Sequence, residues 1–140
     1  MVRALMITAT TLALATAAGA QSIPRNDFEG VWMLKSGLFS GAVLTGSMSA
    51  KRGRNGVYDI RLLASQMTSQ GNGTATASLS PLQQCTGTTT GNTLAVDCSL
   101  VTPSSSYAAD DFTLTRESSD KYVGTLSSSD TVTVELYRVR

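Results

Sequence analysis

The stretch PLQQCTGTTTGNTLAVDCSLV, Pro81 to Val101, decides the fold. Gly91-Asn92 at its centre reads as a two-residue hairpin turn, because glycine takes positive φ freely and asparagine tolerates it. Counting outward sets Thr90 against Thr93, Thr89 against Leu94, Thr88 against Ala95 and Gly87 against Val96. Two steps further, Cys85 lands opposite Cys98. Thr90 and Thr93 close the turn as a hydrogen-bonded pair, so alternation makes the cysteines a non-hydrogen-bonded pair with Cα atoms about 4.5 Å apart. That separation lies within the disulfide range of about 4.4–6.8 Å. The only two cysteines of the chain are thus expected to form one cross-strand disulfide.

The same alternation runs outward on both sides. Phe28 to Lys35 places Phe28, Gly30, Trp32 and Leu34 on one face, with a turn expected at Gly37 and Gly41. In Ser40 to Ala50 the inner set is Ala42, Leu44, Gly46, Met48 and Ala50. After a turn at residues 52–56, Val57 to Ser65 groups Tyr58, Ile60, Leu62 and Ala64. Period two of this kind is the mark of half-buried antiparallel strands. Ala75, Ala77 and Leu79 share a side before Pro81, and residues 74–89 read equally as one bent strand or two. In the hairpin's second strand, Leu94, Val96, Cys98 and Leu100 face inward. The last strands fall at Asp111 to Glu117, Tyr122 to Leu126 and Thr131 to Val139. About eight short strands joined by short turns predict an all-β antiparallel meander that closes, or nearly closes, into a small barrel.

The first twenty residues stand apart. Arg3 precedes an apolar run from Ala4 to Ala17, and Ala18-Gly19-Ala20 is a small-x-small cleavage site. The run is shorter than the roughly 20 residues a membrane span needs. The expected organisation is a signal peptide over 1–20, an extended arm over 21–27 and one β domain over 28–140. Export to the periplasm or the extracellular space suits a paired set of cysteines. More than a quarter of the residues from Gln21 onward are serine or threonine. Of 11 basic and 10 acidic residues, Arg3 belongs to the leader, so the remainder is formally neutral. A neutral chain offers no field for nucleic acid or an anionic membrane.

Candidate chemistry is sparse. There is no histidine, which removes Ser-His-Asp and Cys-His nucleophile pairs and the usual zinc ligand. The disulfide occupies both thiols. No enzyme activity, cofactor or metal is expected. A serine–lysine dyad would have to use Lys35, Lys51 or Lys121, all expected at strand ends or turns. Asp110-Asp111 is the one carboxylate pair of interest, yet adjacent strand residues point to opposite faces. Lys51-Arg52-Gly53-Arg54 is the single basic cluster, and Asn72-Gly73-Thr74 fits a glycosylation sequon. In the last strand Val132, Val134 and Leu136 form the apolar face and Arg138 follows on it. That guanidinium either stacks on Trp32, since first and last strands adjoin in a closed sheet, or reaches solvent at the chain end.

Gly30-Val31-Trp32 in the first strand and Arg138 in the last resemble the signature of calycin barrels, the group of lipocalins, fatty-acid-binding proteins and avidins. The resemblance implies a tryptophan–arginine closure of one barrel end. The chain is also similar to the periplasmic metalloprotease inhibitors, whose proline-containing arm precedes G-x-W, as Pro24 and Phe28 precede Gly30 here. That likeness implies inhibition through the arm.

Two binding readings follow. One is a non-enzymatic exported module that holds a small apolar ligand, with Trp32, Leu44, Met48, Tyr58, Ile60, Leu62, Val96, Phe112, Leu114, Val134 and Leu136 as candidate ligand-facing residues. The other is a protein–protein role, such as protease inhibition. A carboxylate-dependent hydrolase and a surface or matrix component complete the alternatives. Whether the interior is filled or hollow is open at this level.

Overall fold

The computed structural model describes residues 27–39, 41–127 and 129–140. The leader over 1–20 and all of the arm except Asp27 lie outside them. Among the described residues nine strands follow one another: β1 Gly30–Phe39, β2 Ala42–Arg52, β3 Val57–Ser69, β4 Ala75–Leu79, β5 Gln83–Thr90, β6 Thr93–Leu100, β7 Phe112–Ser118, β8 Lys121–Leu126 and β9 Ser129–Arg138. One short helical turn, Arg54–Gly56, joins β2 to β3.

All pairings are antiparallel. β1 pairs with β2 and with β9, and β2 pairs with β3, so the sheet closes on itself. The ring contains eight strand positions, because β4 and β5 share one. Val57 to Leu62 of β3 pairs with β5, and Ser65 to Ser69 pairs with β4. The open question of one strand or two resolves as two segments on one neighbour. Ser80 explains the break. Its hydroxyl accepts from the Ala64 N–H at 3.1 Å and donates to the Ala64 carbonyl at 2.9 Å. Pro81 cannot donate to a ladder, so a side chain does the pairing where the chain steps sideways.

The β5–β6 hairpin has the register expected from its turn, from Thr90↔Thr93 out to Cys85↔Cys98. Gly91 has φ 59° and is the only turn residue with positive φ, the pattern of a II′ turn. Cys85 and Cys98 are bonded, with Cα atoms 4.0 Å apart, inside the 4.5 Å expected of a flat pair.

Two expectations need correction. β1 runs through Gly37 to Phe39 rather than turning there. An irregularity between Lys35 and Leu38 absorbs the turn signal. Ser36 lies inward at that point, and its hydroxyl accepts the Leu44 N–H at 2.7 Å. Lys35 therefore sits within a strand rather than at its end. Phe28, assigned to the first strand, precedes it: Gly30 has φ 137°, and the chain ahead of it folds beneath the barrel.

The inward side chains are mostly apolar and the outward ones mostly Ser, Thr and charged residues. One core cluster spans all eight positions, from Trp32 and Leu34 to Val134 and Leu136. Closure needs bent strands. At Gly124 an added Cβ would lie 1.9 Å from the Thr113 carbonyl oxygen, and at Gly46 2.5 Å from that of Leu63. Neighbouring backbone occupies the space of a side chain at both corners.

Candidate functional site

One end of the barrel is shut by Arg138. Trp32 and Arg138 face each other across β1 and β9, and the guanidinium carbon lies 4.2 Å from the Trp32 ring centre. Nη1 donates to the Glu29 carbonyl at 2.5 Å, Nη2 to the Asp27 carbonyl at 2.6 Å, and Nε to the Ser119 carbonyl at 3.1 Å. Asp120 adds an ion pair at 3.4 Å, and the Arg138 side chain is only 6% exposed. Of the two fates considered for this arginine, stacking is the one observed.

Around it lies an aromatic plug. Phe28 stacks on Trp32 with centroids 4.8 Å apart and meets Tyr58 and Tyr122 edge-on. The Trp32 indole N–H donates to the Phe28 carbonyl at 2.9 Å. Arg52, from the basic cluster, contributes to the same end. It donates to the Tyr58 hydroxyl at 3.2 Å and pairs with Asp27 at 3.7 Å. The cluster at residues 51–54 is therefore a hairpin tip with one member turned to structural use.

The opposite end carries the polar interior. Ser36, Ser80, Gln83 and Asp110 are the buried polar residues among those described, and all four lie there. Gln83 donates to Asp110 Oδ2 at 2.6 Å and accepts the Asp110 N–H at 2.8 Å; the Tyr107 hydroxyl donates to the same Oδ2 at 2.7 Å. This knot pins the β6–β7 connection to β5. Burial pushes the Asp110 carboxyl above the usual carboxylate range, outweighing the two hydrogen bonds that favour its charge. Burial and Asp110 together push the Tyr107 phenol up. Asp111 turns the other way and accepts the Cys98 N–H at 2.7 Å. The two carboxyls diverge and do not form a joint acid–base pair. Sequence reasoning missed this knot. Its signal is a glutamine at the inward position of Gln83, Cys85 and Gly87, two residues from a half-cystine.

The eleven candidate ligand-facing residues all point inward and come together. They are 0–3% exposed and pack against one another as the core. The space between the walls next to them is filled by side chains. Among the described residues no group of three or more Cys, Asp or Glu could hold a metal ion, and no helix is long and apolar enough to cross a membrane. The Asn72-Gly73-Thr74 sequon forms an exposed turn in which Thr74 donates to the Asn72 side chain.

The outer wall holds a feature that sequence reasoning passed over. Tyr137, Met33, Ser47 and Leu63 stand side by side across β9, β1, β2 and β3, with Val31 and Val139 beside them. The five apolar members are 40–51% exposed. Small residues between Met33 and Leu63 leave an open cleft of about 290 Å³, lined also by Thr45, Gly46 and Ser47. The available signal was the parity of Met33 and Leu63, apolar residues at outward positions.

This architecture defines a closed, antiparallel, eight-stranded β-barrel. No family model matches the chain, and no curated protein matches it. Solved structures that share the fold include two described as redesigned β-barrels. One, b11L5F_LGL, has a TM-score of 0.54 and 20% identity, over 80% of this chain and 91% of that one. The other, mFAP1 bound to DFHBI, has a TM-score of 0.56 and 18% identity, over 79% and 94%. Likeness at these identities shows the fold.

Proposed function

We propose that this chain is an exported, non-catalytic binding module that recognises a protein partner through the apolar stripe on its outer wall. The stripe carries the reading. Exposed apolar side chains gathered on an otherwise Ser/Thr-rich wall are the usual mark of a protein contact. A small apolar ligand inside the barrel would have to displace side chains such as Met48, Ile60 and Leu114, which already fill that space. Export rests on Arg3, the apolar run and Ala18-Gly19-Ala20. Absence of histidine and the bonding of both cysteines support a role without catalysis. The Gly30-Val31-Trp32 and Arg138 closure supports a calycin-like reading of the barrel.

The test is native mass spectrometry of the protein recovered from its own exported fraction, beside a Met33→Ser/Leu63→Ser double variant. A protein partner retained by the parent and lost from the variant is the expected result. A small molecule retained equally by both would overturn the reading in favour of an interior ligand. A protein partner held equally by both would move the contact off the stripe.

A further inference from the structure

We infer that two copies of this chain pair through the free edge of β4. The hydrogen-bond parity of β4 is fixed at both ends. The Gln70 N–H donates to the Thr74 carbonyl and the Ser80 N–H to the Ala64 carbonyl, each at 2.9 Å. Alternation between those points turns Thr76 and Ser78 toward β3. The backbone N–H and C=O of Ala75, Ala77 and Leu79 therefore point away from the barrel. Among the described residues β4 pairs with β3 alone, and residues 75–78 are exposed. Proteins usually guard such an edge with lysine, proline or a bulge. The β4 segment ATASL carries neither charge nor proline.

The edge is its own complement. Its three outward positions are spaced two apart and centred on Ala77. An antiparallel twin sets Ala77 opposite its symmetry mate and Ala75 opposite Leu79 of the second copy. Each facing position then exchanges both backbone bonds, and no outward group is left over. Met67 lies beside Ala77 on the same face of the sheet. Pairing creates the row Met67, Ala77, Ala77, Met67, in which two flexible side chains close over small ones. A formal net charge of +1 for the chain gives the copies little reason to repel.

A five-residue strand makes a contact far smaller than a standard interface, so the pairing is weak and is sought from about 10 μM to about 1 mM protein. Sedimentation of the purified mature chain is expected to show a rise from one chain toward two over that range. Amide exchange of Ala75, Ala77 and Leu79 is expected to slow in step. Ala77→Lys and Ala77→Glu each place like charges face to face, and each alone is expected to stay monomeric. Their equimolar mixture is expected to pair again. Circular dichroism confirms folding of each variant, and Ala77→Pro, which deletes only an outward N–H, serves as a second break. A parent that stays monomeric at 1 mM overturns the proposal. So does a dimer whose three amides exchange as fast at high concentration as at low, or a charge-swapped mixture that fails to pair. The measurement uses this chain alone, so its outcome is independent of the outer-stripe reading.

Discussion

Arg138 and Trp32 join the last strand to the first: the guanidinium carbon of Arg138 lies 4.2 Å from the centre of the Trp32 ring. The contact is more than a stacking pair. The same guanidinium donates to the carbonyls of Asp27 and Glu29, in the segment that folds under the barrel, and to Ser119 in the β7–β8 turn. Arg138 therefore clamps the incoming chain, one hairpin turn and the seam between β1 and β9. A planar fork with several donors suits that work. Gly30 makes room for it, since an added Cβ there would sit 2.8 Å from Arg138 Nη1.

Arg138→Lys is accordingly not conservative. Lysine keeps the charge but cannot reach several carbonyls at once, and two of the abandoned acceptors, those of Asp27 and Ser119, lie in a half-buried setting. A loss of about 2–3 kcal/mol is expected. Trp32 is the only tryptophan, so its emission in a urea titration reports this end directly. A midpoint unchanged from the parent would show that the clamp contributes nothing.

Removing the disulfide by Cys85→Ala/Cys98→Ala frees a loop with sequence separation 13. The chain-entropy account gives a loss of about 3 kcal/mol for a loop of this size. The turn and ladder that set the register remain, so the double variant is expected to fold with the parent's far-ultraviolet spectrum. Its urea dependence should steepen, because the unfolded chain expands further. A variant with parental stability would place the cross-link outside the energetics of the fold.

How much of this was legible in the sequence follows from range. The hairpin register needed only a turn and period two, both local, and Cys85 fell opposite Cys98 as counted. The adjacency of Trp32 and Arg138 was legible because closure makes the first and last strands neighbours, whereas the choice between stacking and solvent rests on the acceptors at Asp27, Glu29 and Ser119 that hold the guanidinium. The polar knot was not, because Gln83 and Asp110 meet through the path of a long connection that no local pattern encodes. Phe28 was misplaced for a related reason: alternation continues on paper through Gly30, whereas the backbone turns there. The outer stripe was not legible because single exposed apolar residues are ordinary on a surface, and only the pairing of β9, β1, β2 and β3 gathers these. The close packing of the described inward residues could not be read at all, since packing depends on how strongly the strands bend at Gly46 and Gly124.

Those bends make a separate forecast. Gly124→Ala would press a methyl into the Thr113 carbonyl at 1.9 Å, backbone that cannot move without opening the β7–β8 ladder. A loss above about 3 kcal/mol, or failure to fold, is expected. Gly91→Ala is the control. It meets nothing within 4 Å but has φ 59°, so it should cost only about 1 kcal/mol. Equal losses for the two, read from urea midpoints, would mean that backbone conformation rather than space decides both sites.

Asp110 gives stability a pH dependence of definite sign. Its carboxyl is buried with no cation among its described contacts: Gln83 and Tyr107 hydrogen-bond to it, and the charge of Asp111 adds to the upward push. The folded chain thus holds this proton more tightly than the unfolded chain, whose aspartate titrates near pH 4, at about 3.9. Stability from this group is fully present below that value and is lost as pH rises through the folded one. Asp110→Asn removes the titration while keeping an acceptor for Tyr107 and Gln83. Urea midpoints measured from about pH 3.5 to pH 8 should therefore show the parent losing ground to the variant as pH rises, with the change confined to the interval above the unfolded value. Parallel profiles across the whole range would mean that the carboxyl titrates in the folded barrel as it does in the open chain, and that the knot at this end carries no electrostatic strain.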